Sequence, residues 1–437
     1  MRQYWITVSA AMICAVIAYS TAATATNPPP QIVDVFVGGQ EGYNTFRIPS
    51  IVQIAQGRLL ACAEGRTSGD DNGSNDLVMK LSDDHGNTWT ALRVVDDQPE
   101  RSLNNPCVVE VRKGAHADRI IVMYQSYPTG CGEGCVEVGY EGAKICRTFV
   151  KYSDDRGITW STAADVTPSV KRATIATSVA TGPGVGIQLR RGAHAGRLVM
   201  PFNQGPAGAW TCYGVYSDDG GDTWKCGDVA ANSKDGVGNE VQIAERIDGT
   251  LVMNSRRFAK EPRRKIATSS DGGVTWTALT TDDELPDPSC MAGFIVLTDP
   301  LDGFAKSRMI FTGPDSTTAR ENGCAWLSYD GGATWPVKQQ IYAGAFAYSV
   351  PVTLDRNKFG VLFERDGYKR ISLAIVDFAW FCGGKDEMSM MKNPNGTARK
   401  TQVSARPFRR TMIAQIVFSV WMESVRMQAK QERLKTK

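Results

Sequence analysis

The octapeptide Ser82-Asp83-Asp84-His85-Gly86-Asn87-Thr88-Trp89 decides how this chain is read. Its pattern, Ser-x-Asp-x-Gly-x-x-Trp, returns from Ser153 to Trp160, Ser217 to Trp224, Ser269 to Trp276 and Ser328 to Trp335, at intervals of 71, 64, 52 and 59 residues. Recurrence near a sixty-residue period marks a repeat architecture. Each copy carries its own turn mechanism. The aspartate (Asp84, Asp155, Asp219, Asp271, Asp330) accepts turn amides, the glycine permits a positive φ, and the tryptophan packs beneath the turn as a peg. A β-rich run precedes each copy, such as Leu77-Val78-Met79-Lys80-Leu81 or Thr148-Phe149-Val150-Lys151-Tyr152, and another strand-like stretch follows. Several strands per unit suit the blade of a β-propeller, so the expected class is all-β. Calcium binding by the aspartates is the functional alternative, and the copies lack a dense acidic ligand set.

Five copies do not fix five blades. Residues 345–381 hold strand-like runs (Gly360-Val361-Leu362-Phe363 and Ile371-Ser372-Leu373-Ala374-Ile375-Val376) without a copy, and Gln31-Ile32-Val33-Asp34-Val35-Phe36-Val37 is strand-like ahead of the first. The sequence therefore predicts a six-bladed β-propeller whose last blade is completed by the N-terminal strand. Joining the chain ends in one blade removes an exposed edge.

Composition bounds the rest. A chain of 437 residues with 42% hydrophobic composition is globular in type, and 43 glycines fit many turns. The net charge of +3 hides an asymmetry: residues 383–437 carry +8, which leaves the first 382 residues at −5. A mildly acidic body argues against nucleic acid as a partner. Arg2 precedes an apolar run from Tyr4 to about Ala18, and Ala23-Thr24-Ala25 suits a small-residue cleavage site. Residues 1–25 thus read as a cleaved signal peptide, which directs the product outside the cell or to the lysosome. Ten of the eleven cysteines remain once Cys14 leaves with it, and an even number in an exported chain favours disulfides. Cys131, Cys135 and Cys146 cluster in a glycine-rich insertion, and Cys212 and Cys226 flank a predicted hairpin. The pairing stays open. No histidine stands at ligand spacing beside them, which disfavours zinc. Residues 26–382 form the propeller, and 383–437 a basic tail with Met412, Ile413, Ile416, Val417, Val420 and Trp421 at helical spacing. The tail reads as a disordered extension or as an amphipathic helix at a membrane surface, with too few apolar positions to span a bilayer.

Phe46-Arg47-Ile48-Pro49 opens an apolar hairpin that ends in Glu64-Gly65-Arg66-Thr67-Ser68-Gly69-Asp70-Asp71. Proline fixes the backbone beside Arg47, and the planar guanidinium fork suits bidentate recognition of a carboxylate. An aspartate on the loop twenty-four residues later reaches the same pocket as a proton donor. A surface ion pair beside a polar turn is the plain alternative.

The repeats together with Phe46-Arg47-Ile48-Pro49 resemble the Asp-box sialidases (exo-α-neuraminidases) of bacterial and animal type, over residues 31–381 or so. The resemblance implies an arginine triad that clamps the sialic acid carboxylate: Arg47, Arg256 in Met253-Asn254-Ser255-Arg256, and Arg320 in Thr318-Ala319-Arg320-Glu321-Asn322-Gly323. It implies Asp71 as general acid/base, Tyr348 in Phe346-Ala347-Tyr348-Ser349 as nucleophile, and Glu240 in Gly238-Asn239-Glu240 as the glutamate that activates it. Glu364 would brace the first arginine, Arg66 would line the pocket, and Asn105 in Arg101-Ser102-Leu103-Asn104-Asn105-Pro106 would lie near the N-acetyl group. Arg257 remains the fallback for Arg256, since neighbours on a strand point to opposite faces, and Asp70 is the rival of Asp71. The insertion between Cys131 and Cys146 is placed at the rim. Asn72-Gly73-Ser74 is a glycosylation sequon directly after Asp71, expected to be unmodified or turned outward.

Chemistry explains the set. A carboxylate on the anomeric carbon needs fixed positive charge, and charge-assisted hydrogen bonds contribute roughly 1.5–3 kcal/mol each. That carboxylate would repel an Asp or Glu nucleophile by on the order of 4 kcal/mol at about 4 Å near a protein surface. A neutral phenol avoids the repulsion, and sialidases are a recognised exception to the two-carboxylate pattern of glycosidases. The implied activity is retaining hydrolysis of terminal sialic acid from glycoproteins, glycolipids or oligosaccharides, without cofactor or metal. Two rivals remain: transfer of the sugar to another sugar, and a propeller that binds sialylated glycans without cleaving them.

Overall fold

The computed structural model describes residues 28–392 apart from 56, 235, 259 and 260. The expected signal peptide, with Cys14, and the apolar positions Met412 to Trp421 of the tail lie outside the described residues.

Almost all regular structure is β. In chain order the strands are β1 (Gln31–Val37), β2 (Thr45–Ala55), β3 (Arg58–Arg66), β4 (Asn75–Ser82), β5 (Arg93–Asp96), β6 (Arg101–Glu110), β7 (Ile120–Pro128), β8 (Arg147–Ser153), β9 (Ala164–Asp165), β10 (Val179–Thr181), β11 (Gly184–Val185), β12 (Ile187–Gln188), β13 (Leu198–Gln204), β14 (Thr211–Ser217), β15 (Lys225–Ala230), β16 (Gly238–Glu245), β17 (Leu251–Arg257), β18 (Arg263–Ser269), β19 (Thr280–Pro286), β20 (Gly293–Thr298), β21 (Arg308–Pro314), β22 (Glu321–Ser328), β23 (Val337–Thr353), β24 (Lys358–Arg365) and β25 (Arg370–Asp377). The first sheet is β2-β3-β4-β5. The second is β11-β6-β7-β8-β9, the third β10-β13-β14-β15 with β12 on β13, and the fourth β16-β17-β18-β19. A seven-stranded sheet, β1-β25-β24-β23-β22-β21-β20, completes the molecule. Its long strand β23 serves two partners in turn: Val337–Ala345 pairs with β22, and Phe346–Thr353 pairs with β24.

The cores lie between sheets and follow one another around a ring. Leu60, Met79, Val108 and Val122 join the first sheet to the second; Val109, Met123, Phe202 and Val215 join the second to the third. Val199, Leu251 and Met253 link third and fourth, and Val252, Phe294 and Phe311 link the fourth to β20–β21. Ile310, Leu327, Phe359 and Val361 fill the space between the two halves of the large sheet. Phe36, Phe46, Ile51, Val350 and Leu373 return to the first sheet. Packing on both faces is why β3 and β7 are buried along nearly their whole length. The arrangement is a propeller-like ring of sheets, closed where β1 pairs with β25 from Gln31↔Ile375 to Val37↔Arg370.

Each octapeptide forms the same turn at the end of β4, β8, β14, β18 or β22. Ser82 Oγ donates to Asp84 at 2.8 Å and accepts from the Gly86 amide at 2.8 Å, while Asp84 takes the Thr88 amide and hydroxyl at 2.9 and 2.7 Å. Gly86 and its four counterparts have φ between 82° and 97°, a region closed to most residues with a Cβ. The threonine before each tryptophan, which the motif leaves unspecified, supplies a hydroxyl donor every time.

The cysteine expectation is met in part. Among the described residues one bridge forms, Cys131–Cys135, while Cys62, Cys107, Cys146, Cys212, Cys226, Cys290, Cys324 and Cys382 are free. Seven of these eight are buried, most within strands of the inter-sheet cores, where cysteine behaves as a small hydrophobe. Even number alone was a poor guide, because a thiol inside a packed strand has no partner at disulfide distance.

Candidate active site

Four innermost strands break register at one end: β2 between Arg47 and Ser50, β6 between Asn104 and Cys107, β16 between Gly238 and Val241, and β23 between Phe346 and Ser349. A bulge re-aims side chains and ends regular pairing. Here each bulge delivers polar residues to the ring's centre. The octapeptide turns sit at the opposite ends of the strands, away from this region.

At the first bulge Ile48 has φ 58°, an unusual value for a β-branched residue, and Pro49 follows. This bend presents both the Ile48 amide and the Arg47 side chain to Glu364. Glu364, fully buried at the end of β24, accepts from Arg47 Nε at 2.7 Å and Nη2 at 3.2 Å, from the Ile48 amide at 2.8 Å and from the Tyr348 amide at 3.3 Å. Four donors compensate the burial of that charge.

Tyr348, 5% exposed, lies at the convergence of the set. Its hydroxyl donates to Glu240 Oε1 at 2.5 Å and accepts from Arg256 Nη1 at 3.0 Å, and Arg256 Nη1 also meets Glu240 Oε2 at 2.6 Å. The guanidinium carbons of Arg47 and Arg320 stand 5.5 and 5.3 Å from the Tyr348 ring centroid. Burial, reinforced by Glu240, pushes the phenol well above its ordinary range against the pull of Arg256 and Arg320. Tyr348 is therefore a neutral hydroxyl with its proton directed at a carboxylate.

Arg256 and Arg257 separate as strand geometry requires. Arg257 turns to Asp287, its amide on Oδ2 at 2.7 Å and its Nε on the carbonyl at 3.0 Å, leaving Arg256 to the centre. Arg320 donates to the Ser289 carbonyl at 2.8 Å and to the Tyr368 hydroxyl at 3.0 Å.

Asp71 sits on the loop after β3, its side chain 72% exposed, bound to Arg66 Nη1 and 3.9 Å from Arg47. Burial raises its carboxyl, but Arg66, then Arg47 and Arg320, outweigh it and hold the group below the usual carboxylate range. Asp70 is turned away toward Ser68. Arg66 is buried and anchored by Glu64 at 2.9 and 2.6 Å; Glu64 also takes the Asn105 amide at 2.7 Å. Asn105 itself has φ 53° and binds here through its backbone, while the Asn104 amide reaches the Asp71 carbonyl at 2.9 Å. The Asn72 side chain does not turn outward: it packs so closely on Gly132 that a Cβ there would lie 2.6 Å from it.

Three cations around a buried phenol, with one carboxylate on the phenol's proton and another at the mouth, suit an anionic ligand. Comparison with known proteins places the chain in a family. A family profile described as a BNR repeat-like domain matches residues 57–361, well over half of the chain. The sialidase of Micromonospora viridifaciens is 34% identical over 365 residues, 80% of this chain and 54% of that protein. The chain belongs to the sialidase family.

Against that relative the chain spans little more than half of the full length. Hadza microbial sialidase Hz136 superposes with a TM-score of 0.70 at 26% identity, over 79% of this chain and 68% of that one. The intramolecular trans-sialidase from Ruminococcus gnavus does so with a TM-score of 0.70 at 19% identity, over 80% and 98%, a likeness of fold. In this sialidase-family chain, Arg47, Arg256, Arg320, Tyr348, Glu240 and Glu364 come together within direct contact, and Asp71 with Arg66 adjoins them. Glu64 and Tyr368 were not singled out by sequence. Tyr368 lies 3.9 Å under the Arg47 guanidinium and has φ 68°, in a left-handed run from Asp366. The Asp366-Gly367 dipeptide signals that turn, but nothing local signals what its third residue meets.

Proposed function

We propose that this chain is an exo-α-sialidase. It hydrolyses terminal sialic acid from glycoproteins, glycolipids or oligosaccharides by a retaining double displacement, on a ring of six blades counted by taking the halves of the seven-stranded sheet separately. Arg47, Arg256 and Arg320 bind the substrate carboxylate, held in place by Glu364, Ser289 and Tyr368. In the first step the Tyr348 oxygen attacks the anomeric carbon while its proton passes to Glu240; the glycosidic bond breaks and the departing oxygen takes a proton from Asp71. In the second, Asp71 takes a proton from water, the water oxygen attacks the anomeric carbon, and the tyrosyl oxygen leaves with the proton held by Glu240. Arg66 positions Asp71, and Asn105 lies beside it at the edge of the pocket. The sequence of residues 1–25 supports action after secretion or in the lysosome.

The observation that carries this reading is the Tyr348 hydroxyl, bound at 2.5 Å to Glu240 and 3.0 Å to Arg256. Tyr348→Phe removes the nucleophilic oxygen and is expected to lower kcat on a fluorogenic sialoside by at least about a thousandfold, on the scale of losing a covalent route. Unchanged turnover overturns the assignment. Proton NMR of the first product formed is expected to show the α-anomer; initial β-anomer excludes a double displacement. Product analysis with added lactose separates hydrolysis from transfer.

A further inference from the structure

The connector between β19 and β20 passes from the fourth sheet to the seven-stranded sheet at the site end of the ring, and it opens with Asp287-Pro288-Ser289-Cys290. Asp287 is buried, and its carboxylate serves three donors. Oδ2 accepts from the Arg257 amide at 2.7 Å and from Arg264 Nη1 at 3.1 Å, and Oδ1 accepts from the Cys290 amide at 3.0 Å. Arg264 on β18 is buried as well; its Nε donates to Asn254 Oδ1 at 2.7 Å, and Nη1 donates also to the Cys290 carbonyl at 2.8 Å. Asn254 precedes Arg256 by two residues on β17, which puts both on one face of that strand. Ser289 makes the turn in the connector, with φ 63°. Its carbonyl accepts from Arg320 Nη2 at 2.8 Å, and its hydroxyl donates to the Arg257 carbonyl at 3.2 Å.

The Asp287 side chain has no exposed surface, so it acts on a ligand only through other groups. Those groups are two of the three clamp arms. One oxygen fixes the backbone of the residue after Arg256. The other fixes the amide that follows Ser289, and with it the direction in which the Ser289 carbonyl meets Arg320. An apolar pair with the volume of Arg264 and Asp287 often stabilises a buried connector as well as the ions do. What the carboxylate adds is direction. On the sialidase reading above, we propose that Asp287 is a positioning residue for the reaction: together with Arg264 it sets the separation of Arg256 and Arg320, so that both guanidinium groups reach one substrate carboxylate at once. An error in that spacing weakens binding without touching the reacting groups.

The test measures KM and kcat on a fluorogenic sialoside, and by calorimetry the affinity for free sialic acid, in wild type, Asp287→Asn and Ser289→Gly, and repeats both substitutions in an Arg320→Ala background. Asparagine offers one oxygen where aspartate offers two, so either the Arg257 or the Cys290 amide loses its acceptor, and Arg264 loses its counter-charge. Asp287→Asn is expected to raise KM, and to weaken sialic acid binding, roughly ten- to fiftyfold with kcat within about threefold. Ser289→Gly keeps the left-handed turn but loosens it, and should raise KM about three- to tenfold with little change in melting temperature. Where Asp287→Asn does not fold, this second variant decides. Spacing counts only while both arms are present, so in Arg320→Ala either substitution should change kcat/KM and affinity by less than about twofold. The same factor in both backgrounds is the mark of a merely structural role and overturns the proposal. So do a KM and a sialic acid affinity within about twofold of wild type in folded Asp287→Asn, or in Ser289→Gly where Asp287→Asn does not fold. Wild type that binds free sialic acid in a way that depends on Asp287 but cleaves no sialoside overturns the hydrolase reading and leaves this one standing; wild type that does neither overturns both.

Discussion

Glu364 accepts four hydrogen bonds and has no exposed surface, so its charge is the support on which Arg47 rests. Glu364→Gln removes the charge and keeps the shape. It is expected to raise KM for a sialoside about tenfold or more and to lower stability by about 2 kcal/mol, checked by urea denaturation. Asp71 behaves differently, because its carboxyl is held low by Arg66, Arg47 and Arg320 rather than by burial. An anion bound to the arginines cancels much of their pull, so the Asp71 pKa rises in the complex and binding takes up a proton. Affinity for a carboxylate ligand should therefore strengthen as pH falls from 7 toward 4. Calorimetry in buffers of differing ionisation enthalpy should read that uptake in wild type and lose it in Asp71→Asn. At this scale the offsets that selected Arg256 over Arg257 and Asp71 over Asp70 name the side chains that the fold sets beside Tyr348 and Arg66. The sequence was silent on Glu64 and Tyr368, whose parts depend on which backbone bends bring them beneath an arginine.

The repeated turn works as an element through two side chains. Ser82, buried, satisfies the Gly86 amide, and the Asp84 carboxylate gathers the Thr88 donors. Ser82→Ala leaves that amide unpaired and is expected to cost about 1–2 kcal/mol in chemical denaturation, without a change in KM, since the turn lies at the far end from the site. Acid acts on the same turns. The carboxyls of Asp84, Asp219 and Asp271 lie below the ordinary value, and despite some desolvation, hydrogen bonds from Thr334, Ser328 and Ala333 hold Asp330 at about 2. A folded pKa below the unfolded value of about 3.9 gives stability that is complete above that pH and is lost as pH falls toward 2. Melting temperature should thus drop between pH 4 and 2, with a shallower drop in Asp330→Asn. These turns were legible because eight residues carry their whole mechanism. The bulges that aim Arg47, Glu240 and Tyr348 were not, since register shift depends on the partner strand.

The whole ring rests on the pairing of β1 with β25, backed by Asp34, which binds Arg365 at 2.6 Å and the Ser372 hydroxyl at 2.7 Å. A chain that starts at residue 38 exposes the β25 edge and the Phe36 site in the core. It is expected to aggregate on expression or to lose cooperative melting, seen by light scattering and calorimetry. Reducing the Cys131–Cys135 bridge, by contrast, opens a very short loop and should lower stability by no more than about 2 kcal/mol. Sequence foresaw the closing strand because an edge needs a partner. It foresaw a bridge among the cysteines but not how few would pair, because their number says nothing of where strands bury them.

Gln31 leaves the ribosome early and Ile375, its partner, late; the interval between them takes on the order of tens of seconds at cellular rates. Through that time the first and last faces of the growing arc are both bare, and neither can be covered by any other strand of the same chain. Biosynthesis of this molecule therefore has a vulnerable interval with a defined end. It is the emergence of residue 377, where β25 finishes, that lets the arc become a ring.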